Sequence, residues 1–355
     1  MTRIMRHHFR HARSTVGLVA ALALGALALA SCAHHPSATV RPHVSAAGTP
    51  ARSISVPIST VGCTRNDACV AVGTSSVNAV PDAVAEFATP KGNWLTLAVP
   101  SARSPLIDAV ACSGTQCLLG GSQPGSDLLW LFQAAGHSLS TATAPPGGIG
   151  VDALTCDLDD CALVDTGADS GPPRFIESSD GGLTWGTPEA IAFARGDAVT
   201  TLACVTVSDC ALGVLSATHE FSLYVTRDAG ATWSVQTTPS SWTTLTSLSC
   251  VQRRCDALAQ DARGSVLVRS RTFARTWTTL TLSSPASALA CTPSATCLVA
   301  GGSANAAPWL ALVRGRVVTD VRLRYVPTPL IAAACGSQVC AAVGVTTVLS
   351  VPSDL

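Results

Sequence analysis

The sequence predicts an all-β protein, a seven-bladed β-propeller of four-stranded blades, and three observations carry that prediction. Fourteen of the 15 cysteines fall into seven pairs: Cys63/Cys69, Cys112/Cys117, Cys156/Cys161, Cys204/Cys210, Cys250/Cys255, Cys291/Cys297 and Cys335/Cys340. The first cysteines of successive pairs lie 41 to 49 residues apart. Each pair also sits in the same context: an aliphatic run, Cys, four or five turn residues, Cys, then a small apolar run. A repeat of that period built from short strands is the mark of propeller blades. No stretch sustains the apolar spacing of a helix.

The second unit shows the strands. Ile107–Cys112 reads as strand a, Ser113–Gln116 as a turn and Cys117–Gly121 as strand b. After a Pro/Gly loop, Leu128–Gln133 reads as strand c, Ala134–His137 as a turn, and Leu139–Ala144 as strand d, stopped by Pro145. Short β-branched and aliphatic runs between Gly, Pro and Ser clusters are strand signals. After Cys340 the chain holds two more strands, Ala341–Val345 and Thr347–Val351, so the last blade lacks its outer strand. Ser53–Ile58 has the alternation and Val-Pro ending of a d strand. It is expected to pair with Thr347–Val351, closing the ring and removing an exposed edge. The propeller then spans 51–355.

The first 31 residues stand apart. Arg3, Arg6, Arg10 and Arg13 precede an apolar stretch, Val16–Ala30, which is short against the ~20 residues a spanning helix needs and suits a signal peptide. It runs into Leu29-Ala30-Ser31-Cys32, which resembles the lipobox of bacterial lipoproteins. The resemblance implies cleavage before Cys32, acylation of Cys32, and an extracytoplasmic domain held on the bacterial cell membrane by lipid. Residues 32–50, rich in Ala, His, Pro, Ser and Thr, read as the lipidated tether. Without residues 1–31 the chain has 18 basic and 22 acidic residues, a net charge of −4. With 47% hydrophobic residues it has the material for a core. The lack of a basic excess argues against a nucleic-acid partner.

Within each pair the cysteines oppose each other across the a–b hairpin, ~4.5–5.5 Å apart at Cα, within disulfide range. A zinc half site would need a second pair within reach, and packed sheets stand ~10 Å apart. An exported, oxidising setting favours seven intra-hairpin disulfides.

Ser178-Ser179-Asp180-Gly181-Gly182-Leu183-Thr184-Trp185 and Thr226-Arg227-Asp228-Ala229-Gly230-Ala231-Thr232-Trp233 resemble the Asp-box, or BNR, repeat of bacterial neuraminidases. A third copy, Ser270 to Trp277, keeps Ser, Thr and Trp but has Thr272 and Ala274 in place of Asp and Gly. The resemblance implies a structural box: Asp180 and Asp228 accept backbone N–H bonds, Gly182 and Gly230 permit a tight turn, and Trp185 and Trp233 pack between sheets. Ser178, Thr184, Thr226 and Thr232 complete the two boxes. Sialidases, sortilin-like receptors and photosystem II assembly factors look similar in their repeats, so the motif specifies a propeller rather than an activity.

The chemistry of a sialidase is not matched. The chain has two tyrosines, Tyr224 and Tyr325, both in outer strands, and no counterpart of the arginine motif that opens the family's domain. Asp157, Asp159 and Asp160 crowd one hairpin; calcium takes such oxygen clusters, but solvated carboxylates are the ordinary outcome. No metal site and no cofactor is assigned. Arg253-Arg254 reads as a solvated turn. The b–c and d–a loops form one ring face and carry Asp82, Asp108, Asp127, Asp165, Arg174, Arg195, Asp197, His219, Asp261 and Arg263. These are mixed in sign and define a candidate ligand face with no catalytic residue. The expected function is a monomeric, membrane-anchored binding or scaffolding module for a protein or glycan. The alternatives are a sialidase-like glycoside hydrolase, or an assembly factor or chaperone for a membrane complex.

Overall fold

Each cysteine hairpin forms the inner half of one blade. The computed structural model describes residues 52–354, apart from 54–56, 78–79, 89–93, 99–105, 123–128, 136–137, 168–170, 194–196, 304–305, 322 and 324–325. The segments read as signal peptide and tether, with Cys32, Asp127, Arg195 and Tyr325, therefore lie outside the described residues. Within them the chain forms seven four-stranded antiparallel sheets and no helix.

In blade II the strands are Leu106–Cys112, Gln116–Ser122, Leu129–Ala135 and Ser138–Ala142. The sequence places them within a residue or two. The c–d turn is tighter than expected, because Ala134 and Ala135 stay in the ladder opposite Leu139 and Ser138. Strand a of each blade packs beside strand a of the next, from Thr60–Cys63 in blade I round to Leu330–Cys335 in blade VII and back to blade I. This inner ring is crowded, which explains its small side chains. A Cβ on Gly62 would meet Val110 Cγ1 of blade II at 2.5 Å.

Between blades lie apolar layers. Phe175 and Ile191 of blade III pack with Leu202 and Leu212 of blade IV, each such side chain contributing ~1.5–3 kcal/mol by leaving water. Trp242 and Trp277 meet edge to face at 5.5 Å in the layer beyond blade IV.

The ring closes at blade VII, whose sheet is completed by Arg52–Ser53, antiparallel to Thr347–Pro352. Arg52 opposes Val348 and Ser53 opposes Thr347. The expected strand Ser53–Ile58 does not run to its end as a strand: 57–59 leave the ladder because the chain must cross there to strand a of blade I. Ile58 instead donates its N–H to Val345 O (2.8 Å) and buries its side chain against Val61, Val343 and Val348.

All seven cysteine pairs are in direct register and at disulfide distance, with Cα–Cα separations of 3.9 to 4.1 Å.

The two halves of each bridge differ in environment, which their common spacing conceals. The second cysteines, Cys69, Cys117, Cys161, Cys210, Cys255, Cys297 and Cys340, are fully buried. They stand on strand b, which is flanked by strands a and c of its own sheet and covered by the neighbouring blades. Cys69 shares an apolar layer with Ala71 and Ala341, Cys210 with Leu212, and Cys255 with Ala257. The first cysteines stand on strand a, and Cys112, Cys156, Cys250 and Cys335 are only half-buried. In blades III, IV and V, Cys161, Cys210 and Cys255 oppose Ser178, Thr226 and Ser270. Those three residues end strand c and open its c–d turn, so bridge and turn secure the same end of strand b. The bridges are thus core elements as well as pins of register.

Candidate functional site

Antiparallel order puts the a–b and c–d turns on one ring face and the b–c and d–a connections on the other. Of the residues read as a ligand face, Asp127 and Arg195 lie outside the described residues, and the others stand on or next to the second set. Asp82 is in strand c of blade I, Val80–Ala88. Asp108 stands at a register break in strand a of blade II, where desolvation raises its carboxyl above the ordinary value. His219 occupies a left-handed position (φ 62°) in the turn Ser216–Glu220. Asp261 accepts the N–H of Arg263 at 2.7 Å within the b–c turn of blade V. Asp197 accepts the Ala217 N–H at 3.3 Å.

Two of these residues are brought together. Asp165 lies near the end of strand b of blade III, Asp160–Gly167, and opposes Arg174 at the start of strand c. Arg174 grips it as a fork, Nε to Oδ1 at 3.0 Å and Nη2 to Oδ2 at 2.5 Å. Asp165 is fully buried. Burial raises its carboxyl above the ordinary value, opposed by the hydrogen bond and charge of Arg174. This pair braces the blade.

A second feature has no counterpart in the sequence patterns: an axial cavity of about 250 Å³ at the opposite face. Strands a of all seven blades line it, and the first cysteine of every pair faces it. A collar of cystines thus rings one end of the channel. Arg65 of blade I and Asp157 of blade III form an ion pair at its rim, skipping blade II. Asp157 is therefore paired rather than merely solvated. Among the described residues, the converging set of potential metal ligands is Asp256, Cys291 and Cys297. There the two sulfurs are bonded to each other.

The c–d turns of blades III and IV repeat one network. Ser178 Oγ donates to Asp180 (2.8 Å), and Asp180 accepts from Thr184 N (2.9 Å) and Thr184 Oγ1 (2.6 Å). Thr226, Asp228 and Thr232 reproduce these distances. The Thr184 hydrogen bonds hold the Asp180 carboxyl down to about 2, and those of Thr232 lower that of Asp228. Gly182 and Gly230 have φ of 86° and 87°, and Trp233 packs edge to face on Phe175 at 5.5 Å. In blade V, Thr272 replaces the aspartate and accepts the Thr276 N–H at 3.1 Å.

Arg254 corrects the reading of Arg253-Arg254 as solvated. Arg254 and Arg269 both bond the buried Asp256 at 2.5 Å, because Arg254 lies two residues from Asp256 on one strand face and Arg269 opposes it across the ladder.

These features define a closed seven-bladed β-propeller with a charged ring face and a cystine-ringed axial cavity. The sequence matches no family model and no curated protein. The fold is similar to that of YCF48 bound to D1 peptide, at a TM-score of 0.62 and 14% identity over 87% of this chain and 96% of that one. It is also similar to YCF48 from Cyanidioschyzon merolae (TM-score 0.61, 13% identity, 86% and 98% covered). A catalytically inactive virginiamycin B lyase from Staphylococcus aureus with quinupristin is similar too, at a TM-score of 0.58 and 7% identity, over 85% of this chain and 97% of that one. At such identities the likeness is one of fold.

Proposed function

We propose that the chain is an exported propeller, anchored to the bacterial cell membrane through a lipidated Cys32, that holds a protein segment on its b–c and d–a face. The carrying observation is the closed ring, which presents Asp197, His219 and the Asp261–Arg263 turn from three separate loops, with Asp197 and Asp261 fixed by backbone bonds. Rigid ring faces of this kind suit extended ligands. The fold likeness to a propeller bound to a peptide supports a protein ligand. A partner within a membrane complex fits the anchored address and the resemblance to photosystem II assembly factors.

Two experiments test this. Cys32→Ala should shift the protein from the membrane to the soluble fraction, and unchanged retention counts against the anchor. Photo-crosslinkers at His219 and Arg263 should capture one discrete protein in intact cells, while a crosslinker at Leu183, on the opposite face, should not. Hydrolysis of a sialoside by the purified chain would replace this reading with the enzymatic one.

A further inference from the structure

Charge is not spread evenly around the ring. Positions 32 to 252 hold 8 basic and 18 acidic residues, whereas 253 to 324 hold 10 arginines and three aspartates. Within that basic arc, between the outer strands of blades V and VI, lies a cavity of about 540 Å³. Arg269, Arg271, Arg316, Thr276, Thr278 and Thr279 line it, and among the described residues no carboxylate does. Arg271 and Arg316 are exposed. Arg269 is fixed, with Nε on Asp256 and Nη1 on Gly315 O (2.7 Å), while its buried Nη2 has no acceptor. Asp256 is shared with Arg254, so one carboxylate serves two guanidiniums and positive charge remains.

Guanidiniums beside hydroxyl donors suit a phosphate group, which takes charge-assisted and forked hydrogen bonds. The position of the cavity suggests the source of the phosphate. Ser270 ends strand c of blade V and Thr278 begins strand d. Gly315-Arg316 is the c–d turn of blade VI. The cavity therefore opens at the perimeter of the face that carries the a–b and c–d turns. Arg52–Ser53, antiparallel to Thr347–Pro352, points its N-terminal end toward that same face.

We propose that this cavity binds the phosphate of anionic phospholipid headgroups and seats this face of the propeller on the membrane, leaving the b–c and d–a face outward. The proposal rests on the membrane-anchored reading, but its test does not need the anchor. The chain carrying Cys32→Ala is sedimented with phosphatidylglycerol or phosphatidylcholine vesicles at low salt, the latter reporting any retention by the apolar leader. Retention above that background is expected on phosphatidylglycerol alone and should fade as salt shortens the Debye length. Arg271→Ala with Arg316→Ala should weaken it about thirtyfold, each arginine near an anionic surface counting for roughly fivefold. Equal retention on both lipids, or undiminished binding by the variant, overturns the proposal. Binding of inorganic phosphate without retention on phosphatidylglycerol overturns the lipid source. A missing anchor would show instead as unchanged fractionation of Cys32→Ala, with vesicle binding intact.

Discussion

Asp67 and Val339 stand 272 positions apart, yet Asp67 Oδ1 accepts the Val339 N–H at 2.9 Å and the neighbouring Gln338 N–H at 2.8 Å. One residue lies in the a–b turn of blade I and the other begins strand b of blade VII, so a clasp near the axis joins the first blade to the last. Gly336 makes the approach possible, since a Cβ there would meet Asp67 Oδ1 and Thr64 O at 2.5 Å. The ring is thus closed twice, at its rim by the Arg52–Ser53 ladder and inside by this carboxylate.

Asp67→Ala leaves two backbone donors without their acceptor, a loss of ~1–3 kcal/mol. Thermal unfolding should show a midpoint lowered by a few degrees. Asp67→Asn keeps the accepting oxygen and should lose clearly less; equal losses would mean that the clasp is not what the substitution removes.

The Asp180 turn carries a pH signature. Its carboxyl titrates at about 2, below the ~3.9 of an unfolded aspartate. The stabilisation it gives is therefore present above pH ~4 and is lost as pH falls through about 2. Carboxyl NMR titration should place Asp180 at the acid end of the aspartates. Thr184→Val, which removes the Oγ1 donor, should move it upward.

The same turn distinguishes its three copies by backbone strain. Gly182 sits at φ 86°, and a Cβ there would meet Leu118 Cδ1 at 2.2 Å. Gly182→Ala should cost ~1–3 kcal/mol in denaturant unfolding. At the matching position of blade V, Ala274 already accepts φ 62°. There Ala274→Gly relieves left-handed strain and loosens the unfolded chain by similar amounts, for a net change below ~1 kcal/mol.

Arg174→Ala should be the costlier change, ~3–5 kcal/mol, because it strands the buried Asp165. Without its partner, Asp165 loses the hydrogen bond and charge that oppose burial, so its carboxyl rises further above the ordinary value. The loss should then grow as pH rises from ~4, where an unfolded aspartate ionises freely. A loss independent of pH between ~4 and ~8 would contradict that origin.

The inner half of the fold was legible in the sequence because cysteine spacing marks every a–b hairpin, and because a missing last strand needs a donor at the other end. Spacing alone did not show that Cys69, Cys161, Cys210 and Cys255 sit deeper than their partners, since that depth comes from the blades on either side. The Asp180 and Asp228 networks were legible because serine or threonine, aspartate, glycine and threonine recur at fixed offsets. Asp67 was not, since one aspartate in a turn carries no long-range signal. Arg254 could have been found: alternation puts it on the face of Asp256, and the next strand sets Arg269 opposite. The register breaks at Asp108, Thr200, Thr246, Ser287 and Ile331 in the a strands follow from crowding at the axis, which no local pattern announces. The axial cavity leaves no local pattern for the same reason, being made by seven segments each unremarkable alone.

The ring is held shut by its two ends. The most direct measurement of this closure compares thermal unfolding of two deletions, residues 51–59 and residues 33–48. The first removes the Arg52–Ser53 pairing with Thr347 and Val348 and the buried Ile58, and exposes the edge of the last blade. The second removes the segment read as tether. A midpoint lowered by many degrees for the first deletion and unchanged for the second is the predicted result; equal stability of the two would contradict closure by the N-terminal strand.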